Sequence, residues 1–165
     1  MFWLKSLTNK NAGLLDAAAQ GNVAMARYML EAQADVNYSE RMRQGALIVA
    51  AGKANLELVK LLLEHKADVN KRDVFGCSTA LYSAASAGDA GVPVCRLLLE
   101  HRASVSDTPL PPIHGAVSSR SIEAVLVLLE AKATVNDVDH SLQTPLFVGT
   151  HRIALSASHK HKRLP

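Results

Sequence analysis

Ten letters recur four times in this chain. Residues 28–37 read YMLEAQADVN, 61–70 read LLLEHKADVN, 97–106 read LLLEHRASVS and 127–136 read VLLEAKATVN. Asn37 and Asn70 lie 33 residues apart, Asn70 and Ser106 lie 36 apart, and Ser106 and Asn136 lie 30 apart. Self-similarity at such a period constrains the fold more than any local signal, because it marks a stack of equivalent units. The period here is about 33 residues, with two irregular members.

Each period has the same internal order. A segment of small and apolar residues comes first: 14–21, 46–54, 79–88 and 112–120. Pairs such as Ala17/Ala18, Ala50/Ala51 and Ala84/Ala85 leave little side chain between helices, so backbones can approach closely. A second segment follows at 22–32, 55–65, 92–101 and 121–131. Its apolar residues recur at helical spacing, as Leu58, Leu61 and Leu62 do. An extended stretch with turn residues then leads on, as in ADVNKRDVFG at 67–76. One such unit cannot bury its own apolar face, whereas several stacked units share a continuous core. The spacing therefore predicts an all-α solenoid of helix-turn-helix units joined by extended, hairpin-like loops. Composition agrees: 48% of residues are hydrophobic but only 4% aromatic, a helix-packing vocabulary.

These residues resemble the ankyrin repeat family. Asp73, Gly76, Thr79, Leu81, Ala84, Ala85 and Gly88 match its signature. So do Asp139, Thr144, Pro145 and Leu146, with a weaker match at Pro112, Ile113, His114 and Ala116. The resemblance covers about 11–152 and implies about four and a half repeats, near 11–39, 40–72, 73–108, 109–138 and a partial 139–152. Residues 1–10 are expected to cap the first unit, with Phe2, Trp3, Leu4 and Leu7 over its open face. Residues 153–165 are expected to form a basic tail.

The departures carry physical content. Gln33, Lys66, Arg102 and Lys132 stand where the family places a helix-ending glycine. Such a position wants a left-handed backbone, at about 1 kcal/mol for a residue with a Cβ. A cation there recovers about 0.3–1 kcal/mol from the negative end of the helix dipole. The third unit carries extra residues in GCST and GDAGVPV, and Pro93 suits the first turn of its second helix. The fifth unit begins at DHSLQTPLF and then loses the second-helix pattern.

Chemistry is sparse. Cys77 and Cys95 make no zinc spacing with each other or with the histidines. His65 and His101 occupy equivalent repeat positions and read as surface features. The resemblance gives His114 a hydrogen-bonding structural role. GDAG at 88–91 lacks the Lys-Ser/Thr of a phosphate loop. Glu64, Glu100 and Glu130 recur at one helical position, a solvated face. No catalytic residue, metal site or cofactor is expected.

The chain thus reads as a non-enzymatic interaction scaffold or adaptor. By resemblance, partners are gripped by loop tips and by the exposed side of the first helices, which line a concave surface. Carried over, the tips are Arg41, Met42 and Gln44; Arg72, Val74 and Phe75; Thr108 and Leu110; and His140, Ser141 and Gln143. The first-helix positions are Gln20, Lys53, Ser86, Ser118, Ser119 and Arg152. Independently of the resemblance, Met42, Val74, Phe75 and Leu110 are apolar where turn residues are expected. Two explanations compete: packing between neighbouring loops, or cover by a partner. Arg41, Arg43, Lys53, Lys71 and Arg72 form a basic cluster beside them, which suits a partner with acidic and hydrophobic features.

Three rival readings stand beside this one. The chain could be the recognition part of a larger regulatory protein such as a ubiquitin ligase or kinase. Its net charge of +3 and the HKHKR tail (159–163) suggest a nuclear or nucleic-acid-associated factor, though the aromatic stacking residues for direct base contact are missing. Scattered His and Cys are the only motive for an enzyme. No small-molecule substrate and no membrane insertion are expected, since no apolar run reaches about 18 residues. The start lacks a signal-peptide pattern. The expected compartment is reducing and cytoplasmic, with the nucleus second.

Overall fold

The computed structural model describes residues 9–40, 44–106 and 108–150. Among them the regular structure is helical and no strand occurs. The helices come in antiparallel pairs: α1 (Lys10–Gln20) with α2 (Val23–Glu31), α3 (Ala46–Gly52) with α4 (Leu56–Glu64), α5 (Ala80–Ser86) with α6 (Val92–Glu100), and α7 (Pro112–Ser119) with α8 (Ile122–Glu130). A final helical segment spans 145–150. First helices pack on first helices, α1 on α3 on α5 on α7. Second helices do the same, α2 on α4 on α6 on α8.

Local chemistry sets each start. Asn22, Asn55 and Ser121 cap α2, α4 and α8, accepting the N–H groups of Met25, Leu58 and Ala124 at 2.9, 3.0 and 3.0 Å. α1 begins one turn earlier than the apolar pattern indicates, because Asn9 Oδ1 takes the Ala12 N–H at 3.2 Å. In the third unit, the extra residues form a 3₁₀ turn over Gly88–Gly91, and α6 starts with Pro93 in its first turn.

The ends of the second helices agree with the sequence reading. Gln33, Lys66, Arg102 and Lys132 have φ of 63, 64, 65 and 67°. In each case two consecutive N–H groups turn back onto the last helical carbonyls. Lys66 N donates to Leu63 O at 2.9 Å and Ala67 N to Leu62 O at 3.0 Å. Lys66→Gly, Arg102→Gly and Lys132→Gly should each raise stability by about 1 kcal/mol or less, the dipole contact being lost in exchange. Thermal melts of the three variants check this; unchanged or lower midpoints in all three would mean that the strain is relieved elsewhere. Ala54 and Arg120 repeat the same left-handed geometry where α3 and α7 end, at φ 53 and 61°. Gly21 and Gly88 hold the equivalent places after α1 and α5.

The small pairs do what their size allows. Ala17, Ala18, Ala50, Ala51, Ala84 and Ala85 are buried between first helices, and Leu58, Leu62, Leu98 and Leu128 fill the space between the two layers. Polar rungs add register. The N–H groups of Asp35, Asp68 and Ser104 donate to Oδ1 of Asn11, Asn37 and Asn70, each at 2.8 Å. At the next junction Ser106 replaces the asparagine, and among the described residues that rung is not made.

Candidate partner-binding surface

The loop tips are built by aspartates. Asp73 Oδ1 accepts the N–H groups of Cys77 and Ser78 at 2.9 and 3.2 Å, while its own N–H donates to Ser78 O at 2.9 Å. Gly76, at φ 71°, turns the chain and donates to Asp73 O. The loop is therefore closed at its base, and Val74 and Phe75 project from it, 43% and 69% exposed. Asp139 repeats the device, accepting from Ser141 and Gln143 at 2.8 and 3.0 Å. Its partial burial opposes ionisation. The two N–H donors, with the charges of His114 and His140, outweigh that and hold its carboxyl below the usual range. Leu142 stands where Gly76 stands in the earlier loop, left-handed at φ 59° and 81% exposed.

Of the other expected tip residues, Gln44, Arg72, His140 and Ser141 are exposed, and Thr108, Leu110 and Gln143 are half-buried. The backbone of Gln143 is committed to the fold. Its carbonyl accepts from His114 Nε2 at 2.9 Å, which anchors the buried His114 across the junction to the next loop. The His140 N–H donates to Pro109 O at 2.9 Å, so neighbouring loops are tied by backbone and their side chains are left outward. Arg41, Met42 and Arg43 lie outside the described residues.

On the first helices, Gln20, Lys53 and Ser86 are exposed and Ser118 is half-buried. Two expected positions are spent within the stack. Ser119 Oγ donates to Ala85 O at 2.9 Å, joining adjacent units. Lys71 Nζ donates to Asn37 O and leaves the basic cluster to its neighbours. Arg152 lies outside the described residues.

The candidate reactive groups sit apart. Cys95 is fully buried in α6, and burial pushes its thiol up to about 12, against a small opposite pull from its backbone hydrogen bond. A thiol so placed is neutral at physiological pH and packs as a small apolar group. Cys77 Sγ donates to Phe75 O at 3.3 Å. His65 and His101 are exposed, and His65 Nδ1 donates to Leu61 O at 2.9 Å. Among the described residues, no three His, Cys, Asp or Glu side chains are placed to hold a metal ion. No described helix is long and apolar enough to cross a membrane.

The sequence reading missed the C-terminal end of the stack. A cavity of about 510 Å³ lies between the α7–α8 pair and the segment 145–150, walled by Ile113, Val117, Val125, Val135, Pro145 and Leu146 with Arg120 at its edge. Its signal was present: Leu126 occupies a position that is basic in every earlier second helix.

A search of curated proteins found no match. The family model for ankyrin repeats, in three copies, matches residues 4–73 and 47–139. With that match across most of its length, and with its paired helices and closed loops repeated in phase, the chain belongs to the ankyrin repeat family.

Proposed function

We propose that this protein is a scaffold or adaptor that holds a protein partner on its loop tips and on the exposed side of its first helices. Ankyrin repeats are generally protein–protein interaction modules, and the family is typically non-enzymatic. The observation that carries the finer reading is Phe75. A large aromatic side chain, 69% exposed, stands at the tip of a turn whose base is fixed by Asp73. Packing between loops does not account for it, whereas an interface does: a rigid aromatic anchor loses little entropy on binding. Val74 lies beside it, and exposed Arg72 and Lys53 flank it. Apolar anchors with a basic rim fit a partner surface that is hydrophobic at its centre and acidic around it.

The proposal is tested by a footprint. A partner captured with the intact chain as bait is titrated back, and amide hydrogen exchange is compared with and without it. Protection is expected at 72–77, at 108–110 and at 140–143, and association should slow as salt rises. Protection confined to the second helices would place the interface on the opposite side and end this reading.

A further inference from the structure

The second helices carry a charge pattern that breaks at one residue. Arg27, Lys60 and Arg96 each stand four residues before a glutamate: Glu31, Glu64 and Glu100. Leu126 holds the same place before Glu130. The structure shows what this position faces. Arg96 of α6 pairs with Glu130 of the next unit, Nη1 to Oε2 at 3.8 Å. Leu126 therefore points to where the glutamate of a further repeat would come, and a leucine has no use for a carboxylate. It is 54% exposed.

The rest of that end is apolar and uncovered. Leu63 is 8% exposed in α4, but its counterpart Leu129 is 38% exposed in α8. Val59 and Cys95 are fully buried at the place where Val125 is only half-buried. Ile122, at the start of α8, is 77% exposed. Beside these residues opens the cavity of about 510 Å³. One cation, Arg120, lines it and has no ion-pair partner among the described residues. A patch this size on a soluble stack marks an interaction surface.

We infer that this end is a second docking groove that takes an amphipathic helix of another protein. The helix would lay an apolar stripe over Val125, Leu126 and Leu129 and bring one carboxylate to Arg120. Two other occupants fit the chemistry less well. A second copy continuing the stack head to tail would set Glu31 against Leu126, burying a carboxylate without a partner. The chain's own residues, continued in register from Thr144, would put His161 and Lys162 where Leu62 and Leu63 stand, and Arg163 where Glu64 stands. Neither supplies an apolar residue opposite Leu126.

The test uses the full chain and a synthetic amphipathic helical peptide bearing a leucine stripe and one glutamate, with a second peptide in which lysine replaces that glutamate. Binding is read by fluorescence anisotropy. The glutamate peptide should bind, and Leu126→Lys should weaken it by about tenfold or more, since a buried leucine contact is exchanged for a charge. Arg120→Glu should reverse the preference between the two peptides. Leu126 is exposed, so Leu126→Lys should leave the melting midpoint unchanged, and Phe75→Ala should leave peptide binding unchanged. No peptide binding, or binding indifferent to Leu126→Lys, overturns the proposal. Self-association of the wild-type chain that Leu126→Lys abolishes would instead make a second copy the occupant. Peptide binding that rises several-fold in the double variant Ile153→Ser/Leu155→Ser would make the chain's own segment the occupant.

Discussion

Gly91→Ala is expected to destabilise the stack by about 3 kcal/mol, the largest effect of any single added methyl. The backbone at Gly91 is not the reason, for φ −81° and ψ −12° suit any residue. The reason is space. A Cβ there would lie 1.9 Å from the carbonyl oxygen of Ala84, 2.9 Å from its carbon and 3.1 Å from the Ala87 Cβ. Ala84 is buried in α5, so its carbonyl cannot swing aside as a long side chain would. The 3₁₀ turn Gly88–Gly91 and the start of α6 would have to lift off the first helix of their own unit. Gly52→Ala is the matched control. Its Cβ would meet only Ser83 Cβ at an ordinary 3.6 Å, and alanine favours helix over glycine by up to about 1 kcal/mol. Urea unfolding of both variants should therefore show opposite signs. A cost below about 1 kcal/mol at Gly91 would mean that the third unit accommodates its extra residues by another route than this seated turn.

The fold was legible because periodicity and small-residue pairing are local signals that each unit repeats. The apolar spacing of Leu58, Leu61 and Leu62 places α4 within a residue of its observed span. The left-handed ends at Lys66, Arg102 and Lys132 followed from the glycine expected there. Ala54, Arg120 and Leu142 share that geometry and were not foreseen, because alanine, arginine and leucine give no hint of a positive φ once the glycine is gone. The Asn37 and Asn70 rungs were also hidden. They join residues more than thirty positions apart, and the letter N alone does not say which N–H it will accept.

The candidate site divides in the same way. That Val74 and Phe75 sit at a tip could be read from the turn residues around them. Whether they pack on a neighbouring loop could not, since that depends on how adjacent units are offset. Ser119 and Lys71 were misread for a related reason. Their polar atoms reach one unit back, to Ala85 O and Asn37 O, a contact no single-repeat pattern contains. The C-terminal groove was missed because a leucine in a helix reads as core until the neighbour that should cover it is found absent among the described residues.

Phe75→Ala carries the second large effect. If the tip is the anchor of a partner, removing the ring should weaken binding by about 2 kcal/mol or more, as at the centre of an interface. The same change should barely alter stability, because an exposed ring contributes little to the core and the Asp73 turn does not depend on it. Arg41→Glu combined with Arg72→Glu should act differently, slowing association with little change in the release rate, as charges that steer do. The measurement that decides between function and packing is a titration of the captured partner against wild type and Phe75→Ala, with thermal melts run on the same samples. The account predicts at least a thirtyfold (~2 kcal/mol) loss of affinity with an unchanged melting midpoint. Normal affinity with a much lower midpoint would contradict it and make Phe75 a packing residue.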